Sequence, residues 1–216
     1  MAIEVESKFQ AASQETLRRL ATIDRLGRAR LGAATVGRDL DRYLDTADER
    51  LAAAGWACRL RTRDERTIVS LKGATPSIVG DRSGLHRRPE VEGPATADLE
   101  PTAWPASAAL ELLLALAGGQ SLEERLRLDQ RRTERDVLLD GERVAILSLD
   151  EVVVLDAAGR SVGRMLVVEL EHTGDTDADE MAAVADALRA DPELAPDPLT
   201  KLEHASQLIA ASRATE

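Results

Sequence analysis

Ile3-Glu4-Val5-Glu6-Ser7-Lys8-Phe9, near the start of the chain, interleaves two kinds of side chain. If the stretch is extended, alternation sends Glu4, Glu6 and Lys8 to one face and Ile3, Val5 and Phe9 to the other. An ordinary half-buried strand turns such a polar face to water. Repetition argues for a different arrangement here. Arg59 with Arg61, Ser70 with Lys72, and Glu169 with Glu171 carry the same mixture, each pair two residues apart with apolar residues between. A closed barrel with a charged lumen gathers all of these onto one surface and turns the apolar faces outward under covering helices. The expected fold is α+β: an eight-stranded antiparallel closed β-barrel with peripheral helices.

Composition narrows the setting. A chain of 216 residues can bury one sizeable core, and we expect a single domain over residues 1–216. Aromatic residues make up only 2% of the chain, so the core must be built from Leu, Val, Ile and Ala. The net charge of −11 argues against a nucleic-acid or acidic-membrane partner but not against a small anionic ligand, since 28 Lys and Arg are available to cluster. Cys58 is the single cysteine, which rules out an internal disulfide and an all-Cys zinc site. The acidic N-terminus does not read as a signal peptide and no apolar run approaches ~20 residues, so a cytoplasmic location is expected.

Taken in order, a helix is predicted over Ala11–Leu26, with Ser13 as N-cap, an apolar stripe of Leu17, Leu20 and Ile23, and Gly27 as its stop. A strand over Thr35–Leu44 follows, with Arg38, Leu40, Arg42 and Leu44 on one face and Asp39, Asp41 and Tyr43 on the other. Trp56–Arg63 and Thr67–Lys72 form a hairpin. Thr75–Leu85 has the Pro and Gly punctuation of a mobile loop, and Ala106–Ala117 is a helix closed by Gly118. Strands over Leu126–Leu139 and Val144–Leu155 meet at Asp140-Gly141, a hairpin turn, and a third covers Arg164–His172. Thr176–Arg189 is a helix, Pro192–Pro198 a loop and Leu199–Ala211 a closing helix. His86, His172 and His204 have no metal-ligand spacing and read as surface or loop residues; Cys58 reads as core.

Sorted by face, the inward acids are Glu4, Glu6, Asp150, Glu169 and Glu171, and the inward bases are Lys8, Arg59, Arg61, Lys72, Arg88, Arg132 and Lys201. Arg131 and Arg135 lie on the alternate face from Arg132, so a slip of one residue would exchange them. Oxygen ligands drawn from separate strands suit a hard divalent cation such as Mg²⁺ or Mn²⁺. Arg forks and Lys point charges suit phosphate oxygens. Neither set tolerates burial alone. A chain of phosphates bridged to a carboxylate-held metal on one side and gripped by Arg and Lys on the other balances both.

Glu4-Val5-Glu6-Ser7-Lys8 resembles the E-x-E-x-K signature of the CYTH superfamily, the triphosphate tunnel metalloenzymes. Further matches follow in family order: Tyr43-Leu44-Asp45-Thr46, Cys58-Arg59-Leu60-Arg61, Leu71-Lys72-Gly73, Gly84-Leu85-His86-Arg87-Arg88-Pro89-Glu90, Leu149-Asp150, Val168-Glu169-Leu170-Glu171 and Leu199-Thr200-Lys201. The resemblance implies an eight-stranded tunnel, metal-dependent binding of a triphosphate and, in most members, its hydrolysis. It implies that Glu4, Glu6, Asp150, Glu169 and Glu171 hold one or two Mg²⁺ or Mn²⁺ ions. It also implies that Arg59, Arg61, Lys72, Arg132 and Lys201 bind phosphate oxygens. Arg88 and Glu90 support that site, and Glu90 adds a carboxylate to the metal set. Lys8 and Tyr43 are the catalytic pair that the resemblance implies. Similar bacterial members often carry a helical CHAD domain after the barrel; none follows in these 216 residues, so a stand-alone form or an excised domain is expected.

Among family substrates, the run through Lys72 and Arg88 is most similar to the bacterial inorganic triphosphatases. Trp56 falls on the face opposite Arg59 and Arg61 and is expected to pack outside the tunnel, which leaves little aromatic platform for an organic group. Inorganic triphosphate is therefore the expected substrate. The alternatives are thiamine triphosphate, ATP cyclised as in class IV-type adenylate cyclases, and a polyphosphate- or nucleotide-binding module without turnover. Crowding among the carboxylates also predicts that Glu4→Gln leaves the fold intact or more stable.

Overall fold

A computed structural model describes residues 1–74, 84–173 and 178–214. Its first strand, β1 (Ala2–Ala11), buries the charged face. Glu4 and Glu6 are buried and Lys8 has no exposed surface, whereas Ile3 is 62% exposed. An open sheet in water would do the reverse, so the charges must face an enclosed interior.

The following elements supply it: α1 (Gln14–Thr22), β2 (Arg25–Leu26), β3 (Ala29–Leu31), β4 (Thr35–Thr46), α2 (Arg50–Ala53), β5 (Trp56–Arg63), β6 (Arg66–Gly73) and β7 (Leu85–Ala95). After these come α3 (Ala108–Ala117), β8 (Leu122–Leu139), β9 (Glu142–Asp156), β10 (Ser161–His172), α4 (Ala178–Arg189), β11 (Leu194–Pro196) and α5 (Lys201–Arg213). Strands β8, β4, β5, β6, β7, β1, β10 and β9 pair antiparallel in that order, and β9 pairs back to β8. The result is a closed eight-stranded barrel. The short strands β2 and β3 extend from β8, and β11 adds to β1.

Several local expectations change. The first helix stops at Thr22, because Arg25 and Leu26 pair with β3, and Gly27, with φ +58°, makes that hairpin turn instead of ending the helix. Pro192–Pro198 is not wholly a loop, since β11 hydrogen-bonds to Phe9–Ala11. Asp140-Gly141 does form the β8–β9 turn, with both residues at positive φ. Most of the expected loop over Thr75–Leu85, residues 75–83, lies outside the described residues, as does Thr176. Among the described residues no helix is long and apolar enough to cross a membrane.

Apolar surface is buried in three places. Helices α1 and α4 cover the outer faces of β1, β9 and β10 through Phe9, Leu20, Leu147, Leu170, Met181 and Leu188. On the other side α2 and α3 cover β5 and β6 through Leu51, Leu60, Leu71 and Leu113, with Cys58 in the same cluster. The third cluster is inside the barrel. Leu126, Leu128, Val152, Val154 and Val167 share strand faces with Arg132, Asp150 and Glu169, and Ala205 and Ile209 of α5 pack on them. Thus α5 plugs one end with hydrocarbon, and only part of the lumen is charged.

Arg135, on the outer face of β8, shows how a buried cation serves the frame. It is 6% exposed, and its guanidinium donates to the carbonyls of Ile23 (2.5 Å), Gly32 (2.9 Å) and Leu20 (3.2 Å). These carbonyls lie at the end of α1 and the turn beyond β3, where no helical donor remains. Arg135→Met is expected to leave them unpaired and to cost roughly 2–3 kcal/mol of stability in a urea titration.

Candidate functional site

A cavity of about 820 Å³ occupies the charged part of the lumen. Its wall includes Glu4, Glu6, Tyr43, Arg59, Arg61, Lys72, His86, Arg88, Glu90, Glu92, Arg132, Glu134, Glu169, Glu171 and Lys201. Alternation on seven strands and the first residue of α5 brings these groups together from across the chain. They sort into three networks.

The first joins β1, β6, β7 and β10. Lys72 Nζ donates to Glu4 Oε1 at 2.5 Å and lies 3.0 Å from Glu90, while Arg88 donates to Glu4 (2.7 Å) and Glu6 (3.0 Å). Burial alone would raise the Glu4 pKa, but Lys72 and Arg88 outweigh it and hold Glu4 below the usual carboxylate range. The expected stabilisation by Glu4→Gln is therefore withdrawn, because Glu4 is a paired carboxylate. The crowded one is Glu171. Among the described residues no cation comes within 4.0 Å of it, and burial together with Glu4 raises its pKa. Burial likewise raises Glu90.

The second network joins β8, β9, β10 and α5. Arg132 forks onto Asp150 at 2.8 and 2.6 Å and reaches Glu169 at 3.0 Å. Lys201 Nζ donates to the same two carboxylates at 2.6 and 2.7 Å. These cations overcome burial and hold Asp150 and Glu169 below the usual range. The inward Arg of β8 is therefore Arg132, its side chain 6% exposed, while Arg131 is 60% exposed and Arg135 serves the frame. The expected acid set is thus split. Asp150, with no exposed surface, is committed to Arg132 and Lys201 and, unlike Glu4 and Glu6, is not part of the cavity wall.

The third network joins β4 and β5 and includes two residues that sequence reasoning left out, Asp39 and Asp41. Both are completely buried. Asp41 accepts the fork of Arg61 (2.7 and 2.7 Å) and Asp39 that of Arg63 (2.5 and 2.9 Å). Arg59 differs. It donates to Ser70 Oγ at 3.2 Å, lies 3.7 Å from Asp41 and 3.8 Å from Glu92, and its buried Nε has no hydrogen-bond partner among the described residues.

The chain matches the CYTH domain over residues 2–206. It belongs to the CYTH family. No curated protein sequence matches it. Among solved structures, it is similar at 17% identity to HpAC1 of Hippeastrum, described as an adenylyl cyclase candidate with a dominant triphosphatase activity. The TM-score is 0.66, with 94% of this chain and 95% of that one covered. An adenylate cyclase candidate of Bacillus halodurans is similar at 19% identity and TM-score 0.62, covering 94% and 98%. A Pyrococcus horikoshii protein is similar at 17% identity and TM-score 0.53, again covering 94% and 98%.

In this CYTH chain, of the expected pair Lys8 and Tyr43, Tyr43 lines the cavity and Lys8 does not. Lys8 Nζ donates to the Leu199 carbonyl (2.5 Å) and pairs with Asp197 (3.1 Å), and it does not line the cavity. The chain enters β7 through a tight contact there, for Lys8 N–H donates to the carbonyl of Gly84, whose φ of +72° and lack of Cβ admit the Lys8 backbone. Tyr43 does line the cavity, and burial pushes its phenol up to about 12. It stays a neutral hydrogen-bond donor at physiological pH. His86 is neither surface nor loop. It is buried on β7 beside Arg88 on the same face, with Nε2 3.0 Å from the Asp197 carbonyl oxygen. Trp56 packs on the outer cluster, as expected, yet also reaches the cavity wall.

The acid-rich network fits a hard cation by its donors and its charge. Glu4, Glu6, Glu90 and Glu171 share two cations, Lys72 and Arg88, leaving two negative charges uncompensated. Among the described residues no three acidic or imidazole side chains converge as a ready-made metal cage.

Proposed function

We propose that the cavity binds Mg²⁺ or Mn²⁺ with a triphosphate and hydrolyses the triphosphate to pyrophosphate and phosphate. The observation that carries this reading is the pairing, across one cavity, of a carboxylate group in excess with a guanidinium short of partners. Glu4, Glu6, Glu90 and Glu171 form the acidic side. Arg59 lines the same cavity, and its Nε has no hydrogen-bond partner among the described residues. A polyanion carrying a divalent cation supplies what each side lacks.

The residue roles follow from that balance. Arg59, Lys72 and Arg88 hold phosphate oxygens and, with Arg132 and Lys201 on the far wall, neutralise charge that develops on the transferred phosphoryl group. Glu171, with Glu4 and Glu6, would hold the metal, which would supply Lewis-acid polarisation of the phosphoryl oxygens. Tyr43, uncharged, donates its hydroxyl proton in a hydrogen bond to a phosphoryl oxygen or to the attacking water. Arg59→Ala is expected to reduce kcat/KM by roughly 10²–10³, the order found when one charge-stabilising donor is removed. Steady-state phosphate release measures it.

One observation favours an organic triphosphate. Trp56, Leu85 and Leu202 line the same cavity, whose volume exceeds the needs of three phosphates. Phosphate and pyrophosphate release from tripolyphosphate, thiamine triphosphate and ATP, each with Mg²⁺ and with Mn²⁺, tests both readings. Phosphate from tripolyphosphate is expected. Pyrophosphate together with cyclic AMP from ATP would replace the hydrolase with a cyclase, and tight binding without any product would replace the enzyme with a binding module.

A further inference from the structure

The chain has three lysines, Lys8, Lys72 and Lys201. Lys72 and Lys201 line the cavity, whereas Lys8 does not and has no exposed surface. Lys8 lies directly across from Glu169 in the β1–β10 register, yet it is Lys201 that donates to Glu169, at 2.7 Å. The Lys8 ammonium goes instead to the segment that leads from β11 into α5, where it donates to the Leu199 carbonyl at 2.5 Å and pairs with Asp197 at 3.1 Å. Asp197 ties down the rest of that segment. It is completely buried. Its carboxylate accepts from the Leu199 N–H at 3.0 Å, its own N–H donates to the Lys8 carbonyl at 2.9 Å, and its carbonyl accepts from His86 Nε2 at 3.0 Å. Thr200 then caps α5 through a capping box, and Lys201 is the first residue of the helix. The carbonyl that Lys8 holds therefore lies just before the lysine that reaches Asp150 and Glu169.

We infer that Lys8 is a positioning residue: through Leu199 and Asp197 it fixes the entry of α5 and so holds the Lys201 ammonium at the cavity wall. Its purpose rests on the triphosphate reading, in which Lys201 neutralises phosphoryl charge, but its geometry does not. A buried ion pair brings little net stability, because desolvation offsets the attraction, and an apolar side chain of similar volume serves packing as well. What the pair adds is direction. A lysine ammonium is a point charge on a flexible four-carbon stem, so its place depends on where its Cα is held. Ala205 and Ile209 anchor α5 further along by apolar contact alone, which sets no precise position for the first turn. The Lys8 and Asp197 contacts set it, from two sides of the same short segment.

Acetylation of the folded full chain with acetic anhydride at low conversion, read by mass spectrometry, tests this. Lys72 is the internal standard, because it pairs with Glu4 and Glu90 and not with α5. In Lys8→Met, acetylation of Lys201 relative to Lys72 is expected to rise about tenfold, the effect of losing a charged hydrogen bond on a local opening equilibrium. Asp197→Asn keeps an acceptor for the Leu199 N–H and removes the charge beside Lys8, and it is expected to raise the ratio about threefold. It decides the matter should Lys8→Met fail to fold. Turnover of tripolyphosphate with Mg²⁺ is the second readout. Lys8→Met and Lys201→Met are each expected to lower kcat/KM at least about tenfold, and the double variant to fall no more than about threefold below Lys201→Met, because one residue acts through the other. Defects that multiply in the double variant make Lys8 a catalytic residue in its own right and overturn the inference. So does a Lys201 to Lys72 ratio that keeps its wild-type value in a folded variant. A wild type that neither binds nor hydrolyses tripolyphosphate removes the triphosphate reading alone, since the acetylation ratio still decides whether Lys8 holds Lys201.

Discussion

Asp150→Asn is expected to cost the folded state about 3–5 kcal/mol, the usual penalty for removing one partner of a buried ion network. Asp150 has no exposed surface and receives three charged hydrogen bonds, two from Arg132 and one from Lys201. Its loss leaves two buried cations sharing Glu169. The deficit depends on pH. Arg132 and Lys201 depress the folded-state pKa of Asp150 in spite of burial, so the carboxylate stabilises the fold above the ordinary carboxylate range and loses that contribution as pH falls through its folded value. The gap between wild type and variant should therefore be full at neutral pH and shrink in acid. Guanidinium titrations at several pH values measure it, and a neutral-pH loss below about 1 kcal/mol, a typical surface-substitution scale, would contradict the buried network.

Glu171→Gln is expected to move activity and stability in opposite directions. As a ligand of the proposed metal, Glu171 carries charge that its neighbours do not neutralise, and its removal should reduce metal-dependent turnover by at least about a hundredfold. Burial and the nearby Glu4 raise its folded-state pKa, so ionised Glu171 destabilises the metal-free fold. That penalty is absent below the ordinary carboxylate range and sets in as pH rises through the folded value. The variant should thus melt higher than wild type at neutral pH without metal, and the two should converge in acid. Added Mg²⁺ should raise the melting temperature of the wild type and little affect the variant, because a ligand stabilises only the state that binds it. A Glu171→Gln protein with wild-type turnover would remove Glu171 from the metal site.

The eight barrel strands and the covering helices could be read from alternation and turn chemistry, because both act within a few residues. The faces of β1, β5 and β10 were legible in the same way: Glu4, Arg59 and Glu169 share a cavity wall. Asp39 and Asp41 carried an equally clear signal, lying on the same face of β4 as Tyr43. They were passed over because a strand's sequence does not say which face is enclosed. His86 had the same ambiguity, and only its alignment with Arg88 and Glu90 on β7 pointed inward. The short strands β2, β3 and β11 left little periodic trace, being two or three residues long and held by pairing to distant strands.

By itself, then, the sequence determined that charged and apolar side chains occupy opposite faces of the barrel strands, since alternation is a property of the extended backbone. It also determined which residue types were available to meet a metal and a polyphosphate. Tertiary structure alone decided which acid meets which base. Glu4 is paired and Glu171 is left short, Arg59 lacks the carboxylate fork that Arg61 has, Lys8 is drawn off to Asp197, and α5 fills one end of the lumen with Ala205 and Ile209. Those outcomes depend on barrel register and on contacts between residues tens to nearly two hundred positions apart, where a displacement of a few ångströms exchanges one ion-pair partner for another.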